Sequence, residues 1–223
     1  MPATNPPSPR TGRATTVVAQ LRPACTLLAA LAMLTGILYP LAMTLSARTI
    51  FPQASAGSLL RDARGSVRGS LLIGQPFSGP DWFHGRPSAT GATPYDPTAS
   101  GGSNLGPTNQ ALAALVAERA SEVRSDHPNH AGAIPVDLVT ASASGLDPHI
   151  SPRAAFLQVP RVAAARGLPE ERVVELVRDR IEPAILGIFG RPRVCVLGLN
   201  LDLESLDGDK DLPLPAEGRR SPP

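Results

Sequence analysis

The pattern of apolar and charged positions divides the chain into an uncharged N-terminal segment and a mixed body. No charged side chain occurs in residues 23–47, and Arg22 and Arg48 flank this stretch. At about 1.5 Å per residue, a helix of this length crosses a hydrocarbon core of about 30 Å. Residues 23–47 are therefore predicted to form a transmembrane helix, preceded by a Pro- and Arg-containing tail at residues 1–22.

A cleaved signal peptide is the alternative interpretation of this segment. Ala54-Ser55-Ala56 has the small residues typical of a cleavage site. The apolar core of a signal peptide spans only about 7–15 residues, however, and the uncharged run here is longer. The length of the run therefore favours a retained anchor.

The remainder of the chain predicts one mixed soluble domain at residues 48–206, of the α/β or α+β class, and a disordered tail at 207–223. Strands are predicted at 67–73, at 134–141 and at 194–203, where leucines alternate with small or polar residues. Helices are predicted to start at Pro107, at Ser151 followed by Pro152, and at Pro169, and to end before Pro128, toward Gly167 and at Pro183. Pro160 is a candidate break in the second of these helices.

A long segment without periodicity, residues 76–106, interrupts these elements. It is rich in Gly, Pro, Ser and Thr, yet it holds half of the aromatic residues of the chain: Phe77, Trp82, Phe83 and Tyr95. Because disordered linkers are poor in aromatic residues, an ordered loop is predicted. Trp82, Phe83 and Arg86 have the composition of interface anchors, which predicts partner binding. The alternative is that the two aromatic rings cover the core of their own domain.

Charge and residue usage exclude several functional classes. Residues 1–47 carry three arginines and no acid, so the rest of the chain is close to neutral, which argues against a nucleic-acid-binding surface. Lys210 is the only lysine and lies near the C-terminus, which excludes a P-loop, a protein kinase and a pyridoxal enzyme. The four histidines lack metal-ligand spacing, so no metal site is predicted. No catalytic constellation is apparent.

Several blocks of the sequence, in this order, carry a family resemblance. The blocks are Trp82-Phe83-His84-Gly85-Arg86-Pro87-Ser88, Ser100-Gly101-Gly102-Ser103-Asn104-Leu105-Gly106, Val139-Thr140-Ala141-Ser142-Ala143-Ser144-Gly145-Leu146-Asp147 and Gln158-Val159-Pro160-Arg161. They resemble the C chain of the bacterial Kdp potassium-transporting P-type ATPase. The resemblance covers nearly all of the chain from the membrane helix to about Leu206.

The resemblance implies a non-catalytic subunit of an ATP-driven, high-affinity potassium uptake complex in the cell inner membrane. Its partners would be a channel-like potassium-binding subunit and an ATP-hydrolysing P-type subunit. It also implies support of assembly and a role as a catalytic chaperone that raises the affinity for ATP. Ser100, Gly101, Gly102 and Ser103 are the implied nucleotide contact, since Ala99–Ser103 is loosely similar to the signature of ABC transporters, departing at its first and last positions.

The charges that flank the membrane helix bear on its orientation. Arg10, Arg13 and Arg22, with no acid beside them, favour a cytoplasmic N-terminus and an extracytoplasmic body, although Arg48 and the arginines beyond it weaken the bias.

The alternative function is a membrane-anchored extracytoplasmic hydrolase or binding domain. A hydrolase needs a nucleophile beside a base, and the sequence shows no such pair.

Overall fold

The N-terminal segment is helical from Gly12 to Ile50, and a short helix, α3 (Pro52–Ser55), follows it. The structure is a computed structural model that describes residues 12–61 and 65–206. The long helix consists of α1 (Gly12–Met33), a π-helical turn (Leu34–Leu38) and α2 (Tyr39–Ile50). Among the described residues, Ala19–Ile50 is the one helix long and apolar enough to span a membrane, in agreement with the sequence prediction. The predicted tail at 207–223 and the first part of the tail at 1–22 lie outside the described residues.

The π turn accommodates a proline inside the apolar helix. Pro40 has no N–H, and its ring would clash with the carbonyl four residues earlier in a regular α-helix. Just before it the helix widens, because the Tyr39 N–H donates to the carbonyl of Leu34, five residues back. The hydroxyl of Thr35 donates to the carbonyl of Leu31 at 2.8 Å. The Thr35 hydroxyl therefore finds its partner within the helix, as a membrane environment requires.

The second unit begins at Gly57 and is an α+β domain, one of the two predicted classes. All its strand pairs are antiparallel: β1 (Leu59–Arg61) pairs with β2 (Val67–Ser70), and β5 (Arg193–Cys195) lies between β3 (His149–Ile150) and β4 (Ile181–Glu182). Its helices are α4 (Gln110–Asp126), α5 (Pro152–Arg166), α6 (Glu170–Asp179) and α7 (Val196–Leu206). Short antiparallel strands with separate helices define this class.

Capping residues explain where α4 and α5 begin. The helix predicted from Pro107 begins at Gln110, and the helix predicted to end at Pro183 ends at Asp179, before β4. The Asn109 side chain accepts a hydrogen bond from the Ala111 N–H at 2.8 Å, and the Ser151 hydroxyl accepts one from the Ala154 N–H at 3.1 Å. Gly167 ends α5 in the left-handed conformation, with φ of 64°. Pro160 does not break α5; it lies on the exposed side of a continuous helix.

Two of the predicted strands are shorter than expected or absent. The strand predicted at 67–73 ends at Ser70, where a bond from the Ile73 N–H to the Ser70 carbonyl begins a turn. The strand predicted at 134–141 is wrong, because the chain forms a single 3₁₀ turn there (Val136–Leu138). The Asp137 carboxylate at this turn accepts hydrogen bonds from the N–H and the hydroxyl of Ser151. Asp137 thus ties the turn to the start of α5.

The strand predicted at 194–203 is wrong for a different reason. Only Arg193–Cys195 is a strand, and the alternating leucines belong to α7, of which every residue from Val196 to Leu203 is buried. Leu199 and Leu203, four apart, face the main core, whereas Leu197 and Leu201, also four apart, face a second apolar cluster with Leu60 and Phe77. A helix buried between two clusters has no polar face, so its leucines mimic the alternation of a strand.

The main core lies among α5, α6, α7 and the three-stranded sheet. Its largest fully buried apolar side chains are Phe83, Ile150, Val159, Val162, Val173, Val177, Val194, Leu199 and Leu203. Phe83 comes from the loop at 76–106, and the partly buried Phe77 of the same loop packs against the core. The aromatic loop is therefore joined to the core of its own domain through these rings.

Two buried amide side chains fix the backbone of the loop where Phe83 enters the core. The Phe83 N–H donates to Oδ1 of Asn200 at 2.9 Å, and Nδ2 of Asn200 donates to the Phe83 carbonyl at 2.9 Å. At the next residue, the His84 N–H donates to Oε1 of Gln158 at 2.7 Å, and Nε2 of Gln158 donates to the His84 carbonyl at 3.1 Å. Asn200 is 0% and Gln158 1% exposed. We call these four hydrogen bonds the amide clamp.

The amide clamp predicts a large stability cost for Asn200→Leu. Leucine fills a similar volume but leaves the buried N–H and carbonyl of Phe83 without partners, each costing about 1–3 kcal/mol. We expect the free energy of unfolding to fall by about 2–5 kcal/mol. The measurement is denaturant unfolding of the full chain in detergent, followed by the fluorescence of Trp82, the only tryptophan. Asn129→Leu, at an exposed asparagine, is the matched control. Equal unfolding midpoints for the two variants would contradict the role of the clamp.

Candidate functional site

The surface around Trp82 is built by the amide clamp and by two arginines of α5. The Arg161 guanidinium donates to the carbonyls of Gly79, Pro80 and Trp82 at 3.1, 2.8 and 3.0 Å, and Nε of Arg166 donates to the carbonyl of Asp81 at 2.7 Å. Six successive residues, 79–84, thus have backbone groups held by side chains of α5 or α7. A loop without a strand partner receives its hydrogen bonds in this way.

Trp82 itself lies at the edge of this framework. Its ring is half-buried and lies outside the core cluster. The Arg166 guanidinium stacks over the ring, with its central carbon 4.4 Å from the ring centroid, and the Phe77 ring lies 5.7 Å away at an angle of 35°. One part of the indole is therefore held by its own domain, and the remainder is accessible.

The other two predicted partner residues have internal contacts. Phe83 is 0% exposed, so its ring serves the domain core. Arg86 donates from Nη1 to the Asp147 carboxylate at 3.2 Å and from Nη2 to the carbonyl of Ala141 at 3.3 Å. The Tyr95 hydroxyl donates to the Arg86 carbonyl at 2.6 Å, and burial raises the pKa of Tyr95 to about 12. Of the three, Trp82 is the one whose surface suits a partner best, and partner binding stays a prediction.

The predicted nucleotide contact, Ser100 to Ser103, packs against the turn at residues 142–145. The Gly101 N–H donates to the Ser144 carbonyl at 2.9 Å, and the Ser100 hydroxyl donates to the same oxygen at 3.1 Å. A side chain on Gly102 would lie 3.1 Å from the Ala143 carbonyl, so this position suits glycine for packing reasons. Two of the donors that a phosphate would use are therefore already bonded within the domain. Nucleotide contact stays a prediction.

A polar cleft of about 260 Å³ lies between the loop and α4. Its lining includes His84, Arg86, Arg119, Glu122, Asp126 and His127. Both charge signs occur in it, and the Arg119 guanidinium is directed to the carbonyl of Val139 at 3.2 Å. Within residues 12–61 and 65–206, no three His, Cys, Asp or Glu side chains are grouped to hold a metal ion.

Both histidines of the cleft have lowered pKa values. Burial is the main cause for each, and the nearby Arg161 guanidinium adds to it. The pKa of His127 falls from 6.5 to about 4. Nε2 of His84 lies 2.8 Å from the Gly79 carbonyl, which favours a proton on that nitrogen. The cleft thus holds two neutral imidazoles at neutral pH.

The residues that hold the loop were not identified as functional from the sequence. Asn200 is an amide in an otherwise apolar run, and Gln158 lies between the buried residues Leu157 and Val159. A polar residue on a buried face needs a partner, and that is the signal that could have identified them. The identity of the partner depends on tertiary structure, because the loop lies far away in sequence.

The His127 pKa predicts that the domain loses stability in mild acid. The folded state binds this proton less tightly than the unfolded chain, so the contribution is complete above pH 6.5 and is lost as the pH falls toward about 4. His127→Gln should therefore show a smaller decrease in melting temperature over this interval than the wild type. His130→Gln, at an exposed histidine of the same turn, is the control and should follow the wild type. Parallel pH profiles for His127→Gln and the wild type would refute this assignment.

Comparison with known proteins gives one consistent result. The family model described as KdpC, the c chain of the K⁺-transporting ATPase, matches residues 21–205. A potassium-transporting ATPase KdpC subunit of Polaromonas naphthalenivorans is 57% identical over 187 residues, covering 83% of this chain and 94% of the relative. The corresponding subunits of Rhodopseudomonas palustris strain BisB18 and Gemmatimonas aurantiaca are 52% and 56% identical, each over 83% of this chain and 98% and 92% of their own lengths.

These matches span the membrane helix, the loop with its amide clamp and all the elements of the α+β domain. The family resemblance that the sequence blocks carry is confirmed. The hydrolase alternative is not confirmed, because the family is that of an accessory subunit rather than the catalytic subunit. The chain belongs to the KdpC family, the c subunit of the potassium-transporting ATPase.

Proposed function

We propose that this chain supports assembly of the potassium-transporting complex by presenting the surface around Trp82 to another subunit. The observation that carries the proposal is that the loop backbone is fixed from two helices while part of the Trp82 ring stays accessible. A surface that is already ordered loses little conformational freedom on binding, which favours affinity. Tryptophan and arginine, here Trp82 and Arg166, are the residues that most often dominate interface energies.

We propose two partners and a location from the family resemblance. The partners are the channel-like potassium-binding subunit and the ATP-hydrolysing P-type subunit. The membrane is the cell inner membrane, with the N-terminus in the cytoplasm and the domain from Gly57 onward outside it. The support for this orientation is the absence of acidic residues, with three arginines, in residues 1–47.

The proposed effect on ATP affinity arises through assembly rather than through direct contact. In the stretch from Ser100 to Ser103, the Gly101 N–H and the Ser100 hydroxyl are both bonded to Ser144. A domain on the extracytoplasmic side would also be separated from cytoplasmic ATP by the membrane. We therefore propose that the chain raises the affinity of the ATP-hydrolysing subunit by holding the complex together, and that leaving the chain out raises the KM for ATP.

Trp82→Ala tests the assembly role. We expect the variant, carrying an affinity tag, to recover less of both partner subunits from solubilised membranes, because truncating a central interface tryptophan typically costs about 2 kcal/mol or more. The melting temperature of the purified chain, followed by circular dichroism, should fall only slightly, since the ring lies outside the core cluster. Leu72→Ala, at another exposed apolar residue of the domain, is the matched control and should assemble normally.

Two results would count against this role. Normal recovery of both subunits by Trp82→Ala would show that the ring is not an anchor. A large decrease in melting temperature, corresponding to about 3–5 kcal/mol, would assign Trp82 to the packing of its own domain instead.

A further inference from the structure

The connection between β4 and β5 carries an exposed apolar tip. Ile185, Leu186, Ile188 and Phe189 are 57, 79, 79 and 65% exposed. We call these four residues the hairpin tip. No polar side chain interrupts the sequence from Pro183 to Gly190. Exposed apolar side chains are normal when scattered singly, but four within five residues indicate a surface that binds something apolar.

Most backbone N–H groups of the hairpin that carries the tip are bonded within the hairpin. Ile185 and Phe189 exchange both of their backbone bonds at 2.9 Å. The Gly187 N–H donates to the Ala184 carbonyl at 3.0 Å, and the Ile188 N–H donates to the Ile185 carbonyl at 3.2 Å. Four of the five N–H groups from Ile185 to Phe189 therefore have partners within the hairpin. Moving this segment from water to an apolar medium costs less than moving an unpaired loop, because only the N–H of Leu186 must give up a water partner.

One residue of the tip is held in a conformation that its type disfavours. Leu186 has φ of 54° and Gly187 has φ of 71°, so both central residues of the turn are left-handed. Glycine adopts this conformation freely, whereas leucine does so rarely. Asn or Gly would suit the turn better at position 186. The leucine at this position is 79% exposed, so the disfavoured turn conformation presents an apolar side chain at the surface.

The surroundings of the tip match the surface of a phospholipid bilayer. Arg191 and Arg193 lie shortly after the tip in the sequence and are exposed. The Arg193 guanidinium forms an ion pair with the Glu182 carboxylate at 3.0 Å. Apolar side chains next to arginines are typical of segments that bind anionic lipid surfaces, where the apolar groups enter the acyl boundary and the cations meet the phosphates. The chain also carries its own membrane helix, which ends at Ile50. Residues 51–56 alone join it to the domain, and at about 3.5 Å per residue they reach at most about 20 Å.

We propose that the hairpin tip inserts into the interfacial region of the bilayer that holds the chain's own membrane helix. The tip thus forms a second, reversible membrane contact of the domain. This inference rests on membrane anchoring and is independent of the assembly role of Trp82. Insertion at two points would restrict the rotation of the domain on its short connection.

The test is bromolipid quenching of Phe189→Trp in the full chain, reconstituted without other subunits into phosphatidylcholine and phosphatidylglycerol vesicles with brominated acyl chains. We expect the added tryptophan to lose most of its emission, and the loss to exceed that of the wild type, where Trp82 is the only tryptophan. Leu72→Trp, at a position 61% exposed on the same domain, is the matched control and should not be quenched beyond the wild type. Adding Leu186→Asp and Ile188→Asp to the Phe189→Trp chain should abolish the quenching.

Ile188→Trp is a second probe in case Phe189→Trp does not fold. Quenching of either tip probe above the Leu72→Trp control supports insertion. Quenching equal to that control in phosphatidylglycerol-containing vesicles would overturn the proposal. So would a tip probe that is unquenched in vesicles and shifts its emission only when the other subunits of the complex are added, since that result would assign the tip to a protein surface.

Discussion

The pairing of two buried amides with the backbone of Phe83 and His84 is the constraint on which the rest of the domain depends. The loop at 76–106 has no strand partner, so its buried N–H and carbonyl groups must be satisfied by side chains. Asn200 both donates to and accepts from the backbone of Phe83, and Gln158 does the same with His84, as the neighbouring strand of a sheet would do. Because Asn200 lies in α7 and Gln158 in α5, the clamp joins the loop to both helices. The Phe83 ring then fills the core between them.

The surface around Trp82 follows from this arrangement. Once Phe83 and His84 are fixed, Trp82 is held at the domain surface under Arg166, and Arg86 is directed toward Asp147. The hairpin tip shares no residue with the clamp, because it lies in the connection between β4 and β5. The domain therefore offers one surface built from an ordered loop and one from a strand connection. The proposed assembly role uses the first surface and the proposed membrane contact uses the second.

The sequence predicted those elements whose determinants are local. Ser151, Pro152 and Gly167 specified α5 at both ends, and the run of uncharged residues specified the membrane helix. Tertiary environment decided the rest. Leu197 to Leu203 alternate like a strand, but α7 is enclosed by two apolar clusters and needs no polar face. The roles of Asn200 and Gln158 are not visible locally, because their partners Phe83 and His84 lie far away in the sequence. The hairpin tip was not predicted, because its apolar residues are interrupted by glycine, lie near proline and show neither helix nor strand periodicity.

Residue-resolved amide hydrogen exchange of the full chain tests the amide clamp most directly. The account predicts that the N–H groups of Phe83 and His84 exchange as slowly as those in the middle of α5, such as Val159, because they open only when the helices separate. Gly91 and Ala92, which are exposed in the same loop, should exchange rapidly and serve as the internal reference. If Phe83 and His84 exchange as fast as Gly91 and Ala92, the loop is not fixed by Asn200 and Gln158, and the account of this domain is wrong.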